Sequence, residues 1–96
     1  RADLDAAIKI NPRFEQAYIN RGNLNTIQNN FNEAIKDYSA AISINPEHPI
    51  VYSNRGALYH QIGKLDQALA DYNAALSIDP KLETALFNKN LISNPL

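Results

Sequence analysis

Apolar residues recur along the chain at the spacing of a helix face. Tyr18, Leu24 and Ile27, with small Ala17 and Gly22 beside them, mark the buried stripe of one helix. Phe31, Ile35, Tyr38, Ala41, Ile42 and Ile44 mark a second stripe at intervals of three and four. The pattern then recurs in Tyr52, Leu58, Tyr59 and Ile62, followed by Leu65, Leu69, Tyr72, Ala75, Leu76 and Ile78. No segment alternates with period two, so the fold class is all-α. Gly63 supplies a left-handed turn residue between the helices of the second pair, and Asn29, the next most tolerant residue type, stands there in the first. Asn30 followed three residues later by Glu33 has the form of a capping box. The residue before each of Pro12, Pro46 and Pro80 is driven out of helical geometry, which ends each second helix.

Those prolines also reveal a repeat. Ile-Asn-Pro, Ile-Asn-Pro and Ile-Asp-Pro end at positions 12, 46 and 80, a period of 34. Residues 15–48 laid on 49–82 without a gap agree at thirteen of thirty-four positions, among them Tyr18/Tyr52, Asn20/Asn54, Arg21/Arg55, Gly22/Gly56, Asp37/Asp71 and Tyr38/Tyr72. Residues 1–14 match the second half of the unit and 83–96 its first half. The chain therefore reads as one array: two full repeats flanked by two half repeats, about six helices in antiparallel pairs. One helix pair cannot bury both of its faces, so neighbours must stack into an α-solenoid.

With 96 residues the chain is limited to a single core, and 45% apolar with 20% charged residues is the composition of a folded chain. Nine basic against ten acidic residues, net −1 and without like-charge runs, argue against a nucleic-acid or anionic-membrane surface. The longest apolar run is three residues, which points to a soluble chain with no span and no signal peptide. The absence of cysteine excludes disulfides and thiolate metal sites but leaves the compartment open, the cytoplasm being favoured. Without methionine, even at the start, the chain reads as a segment of something longer.

The period and the fixed positions together resemble the tetratricopeptide repeat. That signature is matched in full by Tyr52, Gly56, Tyr59, Ala68, Tyr72, Ala75 and Pro80. The first unit supplies Tyr18, Gly22, Ala34, Tyr38, Ala41 and Pro46 but has Asn25 where the second aromatic belongs, and both units carry Arg (Arg21, Arg55) where the family often has Leu. The related RNA-reading helical-pair repeat fits less well, because its period is usually a residue longer. The resemblance implies a right-handed superhelix whose first helices line a concave groove. It also implies a scaffold that holds an extended peptide or protein segment rather than an enzyme. The rival readings are a substrate-selecting or regulatory segment of a larger enzyme, and a self-assembly module.

Catalytic chemistry finds little support. His48 and His60 lie twelve residues apart without converging partners, Ser43 and Ser77 have no His or acidic residue at motif spacing, and the three glycines form no phosphate loop. We therefore expect no catalytic residue, no metal and no cofactor. Binding is expected instead from Asn20, Asn54 and Asn88, one per unit at a position that in the family faces the groove. They resemble the asparagine ladder of superhelical repeats such as those of O-linked N-acetylglucosamine transferases. A carboxamide both donates and accepts, so it can pair with a peptide unit of any sequence. The alternative is that these residues only reflect an Asn-Arg-Gly flavour of the repeat, in a chain with thirteen Asn. The remaining groove positions implied by the resemblance include Ile19, Asn23, Ile27, Ile50, Ser53, Ala57, His60, Phe87 and Leu91.

That lining is neutral. Asn23 and Asn54 match two positions of the carboxylate clamp by which some family members hold chaperone C-terminal tails. Its cationic positions, however, carry Ile19, Thr84 and Asn88, so an acidic chaperone tail is disfavoured. Arg21, Arg55 and Lys89 recur in step with Asp3, Asp37 and Asp71, and the favoured reading is a repeated ion pair between adjoining helices. At the ends, the chain starts inside a second helix (Leu4, Ala7, Ile8) and Pro95 should stop the last helix near Ser93. The uncapped apolar faces there suggest self-association.

Overall fold

A computed structural model describes residues 2–93. Six helices follow one another: α1 (Ala2–Ile10), α2 (Glu15–Ile27), α3 (Phe31–Ile44), α4 (Pro49–Gln61), α5 (Leu65–Ile78) and α6 (Glu83–Ser93). No strand occurs among the described residues. The chain divides into two compact units, residues 1–46 with α1–α3 and residues 47–96 with α4–α6. Pro95 lies outside the described residues.

In the first unit the α2–α3 turn is made as the sequence predicts. Asn29 takes a φ of 61°, and the N–H groups of Asn29 and Asn30 donate to the carbonyls of Thr26 and Asn25 at 3.1 and 2.8 Å. These bonds satisfy carbonyls that the helix end leaves open, and the chain reverses within three residues. The helices consequently run antiparallel: Glu15 at the start of α2 meets Asn45 after the end of α3, while Arg21 and Asn25 meet Asp37. In the second unit Gly63 (φ 85°) makes the same turn between α4 and α5, with the Lys64 N–H donating to the Tyr59 carbonyl at 2.8 Å.

The exit from each second helix is equally local. Asn45 and Asp79, each preceding a proline, are extended at φ −138° and −131°. Asn11 and Asp79 fold their side-chain oxygens back to accept the N–H two residues on, from Arg13 and Lys81, both at 3.1 Å. The capping box at Asn30 is not formed. Asn30 is the N-cap of α3 but makes no side-chain cap bond, and its own N–H is already bound to Asn25, so it needs nothing from Glu33. Glu33 instead lies 3.9 Å from Lys36.

The cores are built on two tyrosines. Tyr38 is flanked along α3 by Ala34 and Ala41, and Tyr72 along α5 by Ala68 and Ala75, all buried. In the second unit Tyr52, Tyr59, Leu76, Leu82 and Ile92 close around Ala68, Tyr72, Ala75 and Ala85. Each tyrosine ring lies directly on the backbone of the preceding helix. A Cβ on Gly22 would stand 2.6 Å from Tyr38 Cε1, and one on Gly56 would stand 2.8 Å from Tyr72 Cε1. Glycine is required at both places by this approach and not by its dihedral freedom. Three residues assigned to the buried stripes prove exposed: Ile27 (78%), Ile62 and Leu65. All three flank the tight turns, where the helix pair ends and no further chain passes over them.

Gly22→Ala should therefore destabilise the fold. Alanine's better helix propensity offers about 1 kcal/mol, but the displaced ring costs about 1–3 kcal/mol. Denaturant unfolding should show a lowered midpoint, and an unchanged or raised one would mean the ring does not rest on this backbone.

Candidate functional site

Arg21 and Arg55 sit one turn of helix from the tyrosines that open α2 and α4, and both reach across to the following helix. Arg21 donates through Nε and Nη2 to the two carboxylate oxygens of Asp37, at 3.0 and 2.7 Å. Arg55 grips Asp71 in the same way at 2.8 and 2.7 Å. Both carboxylates are almost closed to solvent, with side chains 6% exposed. Removing an arginine would strand a buried charge, at about 3–5 kcal/mol, well above the 0–1 kcal/mol typical of an exposed pair. The guanidinium pKa of each is raised, chiefly by its aspartate hydrogen bonds, with burial opposing.

The two pairs are completed differently. In the first unit Asn25, standing where the family has an aromatic, is buried and donates Nδ2 to Asp37 at 3.0 Å. Arg21 also bonds Asp5 of α1 at 3.0 Å, whereas the sequence periodicity pointed to Asp3. Tyr18 and Tyr52, at the same position of the repeat, lay their rings 5.8 and 6.0 Å from the Arg21 and Arg55 guanidinium groups, and the second unit adds the Tyr59 ring at 5.7 Å. Asp3 and Lys89 hold no ion pair among the described residues. These carboxylates are consumed by structure, and nothing in them is free for ligand chemistry.

The predicted binding residues are placed unevenly. Ile19 and Ser53 are buried, whereas Phe87, at the corresponding position of the last unit, is 65% exposed. Asn20, Asn23, Ile27, Ile50, Ala57 and Leu91 are exposed, and Asn54, Asn88 and His60 half-buried. Asn20 accepts a hydrogen bond from Gln16 at 3.0 Å. The Asn54 carboxamide makes no hydrogen bond to any described residue.

Asn88, His60 and Ala57 meet at an open pocket of about 330 Å³ in the second unit, lined also by Gln61 and Tyr72. α4 contributes Ala57 and, one turn on, His60 and Gln61, α5 the tyrosine and α6 the asparagine. Sequence reasoning placed Tyr72 in the core alone, and its hydroxyl is the group that was missed. That hydroxyl is buried and has no hydrogen-bond partner. Burial pushes its pKa up, and the nearby Asn88 carboxamide pulls the other way without completing a hydrogen bond. Tyr38, its counterpart, donates to Asn23 Oδ1 at 2.5 Å. Burial likewise raises the Tyr38 pKa, with Thr26 opposing.

A tyrosine pKa raised above its ordinary value of 10 contributes stability that is intact below pH 10 and lost as pH rises through the folded-state value. Unfolding followed against pH should show a flat region that falls above pH 10, and Tyr38→Phe or Tyr72→Phe should each make the fall shallower. At neutral pH the two variants should differ. Tyr38→Phe should cost about 1 kcal/mol, while Tyr72→Phe, which removes an unsatisfied group, should be neutral or stabilising. Equal losses would mean both hydroxyls are partnered.

Comparison with known proteins agrees with this architecture. A TPR repeat profile matches residues 22–63, and a tetratricopeptide repeat profile matches residues 49–82. No curated protein sequence matches the chain. Among solved structures, the first TPR of Spaghetti (RPAP3), bound to the HSP90 peptide SRMEEVD, superposes with a TM-score of 0.90 at 26% identity, over 94% of this chain and 71% of that one. The Arabidopsis OM64 TPR domain gives 0.90 at 25% identity, over 97% and 77%. YrrB, described as a TPR protein with an unusual peptide-binding site, gives 0.86 at 25% identity over 92% of this chain, which spans 45% of its length. With its 34-residue period, its tyrosine-on-glycine helix pairs and these matches, the chain belongs to the tetratricopeptide repeat family.

Proposed function

We propose that the chain is a protein-interaction module that binds an extended, uncharged peptide through the polar residues of its first helices. The observation that carries this reading is Asn54: a half-buried residue in the middle of α4 whose carboxamide makes no hydrogen bond to any described residue. A side chain with two donors and an acceptor, left unspent on a helix face, is suited to pairing with a peptide backbone. Asn20 and Asn88 recur at the same place of the repeat. The peptide-bound Spaghetti domain and YrrB support a peptide partner in kind.

The finer preference is for a neutral ligand. The positions that would hold a chaperone tail's carboxylate carry Ile19, Thr84 and Asn88, with Ile19 buried and Asn88 turned to the Tyr72 pocket. No catalytic role is assigned, since the ionised groups best placed for chemistry are locked in the Arg–Asp pairs.

A random-peptide selection against the chain supplies the probe. Asn54→Ala should weaken a selected peptide about tenfold, the equivalent of one to two hydrogen bonds. The loss should be similar for peptides of different sequence and nearly independent of salt, because neither partner is charged. Unchanged affinity in the variant would remove Asn54 from the site, and steep salt dependence would move recognition to the charged residues.

A further inference from the structure

The repeats differ at the one place where their tyrosines need a partner. Residues Asn23, Thr26 and Ile27 of α2 correspond, 34 positions on, to Ala57, His60 and Gln61 of α4. In the first unit the Asn23 carboxamide oxygen accepts a hydrogen bond from the Tyr38 hydroxyl. In the second, Ala57 has no such group, and the volume beside it is the pocket lined by His60, Gln61, Tyr72 and Asn88. Tyr72 is fully buried, and its hydroxyl is unsatisfied. A buried donor without an acceptor is costly, and a ligand that supplies the acceptor recovers that cost on binding.

We propose that this pocket is a specificity pocket for the side-chain carboxamide of an Asn or Gln in the bound peptide, which occupies the place that Asn23 fills in the first unit. The chemistry of the lining selects the amide. Gln61 and Asn88 each offer donors and an acceptor, His60 one of each when neutral, and Tyr72 a donor. Neither Lys nor Arg lines the pocket to hold a carboxylate, and neither Asp nor Glu lines it to hold an ammonium. An apolar side chain would leave the Tyr72 hydroxyl as it is. A primary amide turns its oxygen to Tyr72 and its NH₂ to the carboxamide oxygen of Gln61 or Asn88. The proposal rests on the peptide-binding reading and adds to it which residue of the peptide is read and where.

The test fills the pocket from within. Ala57→Asn rebuilds the first unit's arrangement, giving the Tyr72 hydroxyl its acceptor and closing the space. N-acetylglutamine methylamide and its glutamate counterpart are titrated into ¹⁵N-labelled chain, with the side-chain amide signals of Gln61 and Asn88 followed. We expect saturable shifts with the glutamine probe, a response at least about tenfold weaker with glutamate, and loss of the glutamine response in Ala57→Asn. Gln61→Ala, a change at an exposed position, serves as a second variant and should weaken the glutamine probe while leaving the helical spectrum intact. Absence of a saturable shift, equal response to glutamate, or an undiminished response in Ala57→Asn would each overturn the proposal. Selected peptides that bind Ala57→Asn as well as the parent would overturn it while leaving peptide binding standing. A selection that yields no peptide, beside a saturable glutamine response, would overturn the peptide reading and keep the pocket.

Discussion

Each helix pair depends on a tyrosine ring laid against a glycine backbone. Where Tyr38 meets Gly22 and Tyr72 meets Gly56, the clearance is smaller than a methyl group, so the two helices approach more closely than side chains would permit. That approach brings arginine and aspartate within 3 Å across the pair, and it buries the aspartates. It also carries each tyrosine hydroxyl through the core towards the residues of the preceding helix. The ion pairs and the pocket are both consequences of one steric fact.

The hydroxyl is where the two units part. Tyrosine brings a polar tip that a purely apolar ring would not, and a buried tip has to be satisfied. The first unit does so internally through Asn23, and the second does not. At this contact the two units differ by the Asn23 carboxamide, which Ala57 lacks, so the hydroxyl that is partnered in one unit is without a partner in the other. The half-buried Asn54 and Asn88 lie on the same unit's first-type helices, α4 and α6.

Much of this was legible in the sequence because it is local or periodic. The turns at Asn29 and Gly63 follow from backbone sterics, the helix ends from Asn-Pro and Asp-Pro, and the existence of Arg–Asp pairing between helices from the common period of the two series, though that period does not say which aspartate meets which arginine. What depended on three-dimensional placement was not legible. Asp5 and not Asp3 reaches Arg21, a contact outside the two charged series that the period singles out. Ile27, Ile62 and Leu65 carry the right spacing but stand at turn ends where nothing covers them. The exchange of an aromatic for Asn25 reads as a departure from pattern until Asp37 is seen accepting its amide. The Asn23/Ala57 difference was visible in the repeat alignment, but its meaning required knowing where the tyrosine hydroxyls end.

Tyr38 and Tyr72, alike in repeat position and burial, differ in hydrogen bonding. The ¹³Cζ chemical shift of a tyrosine responds to the state of its hydroxyl, so selective labelling addresses this difference without ligand or activity. The parent chain should give two distinct signals, with the Tyr72 signal moving to the Tyr38 position in Ala57→Asn while the Tyr38 signal stays. Coincident signals in the parent, or a Tyr72 signal that ignores the added asparagine, would contradict the difference.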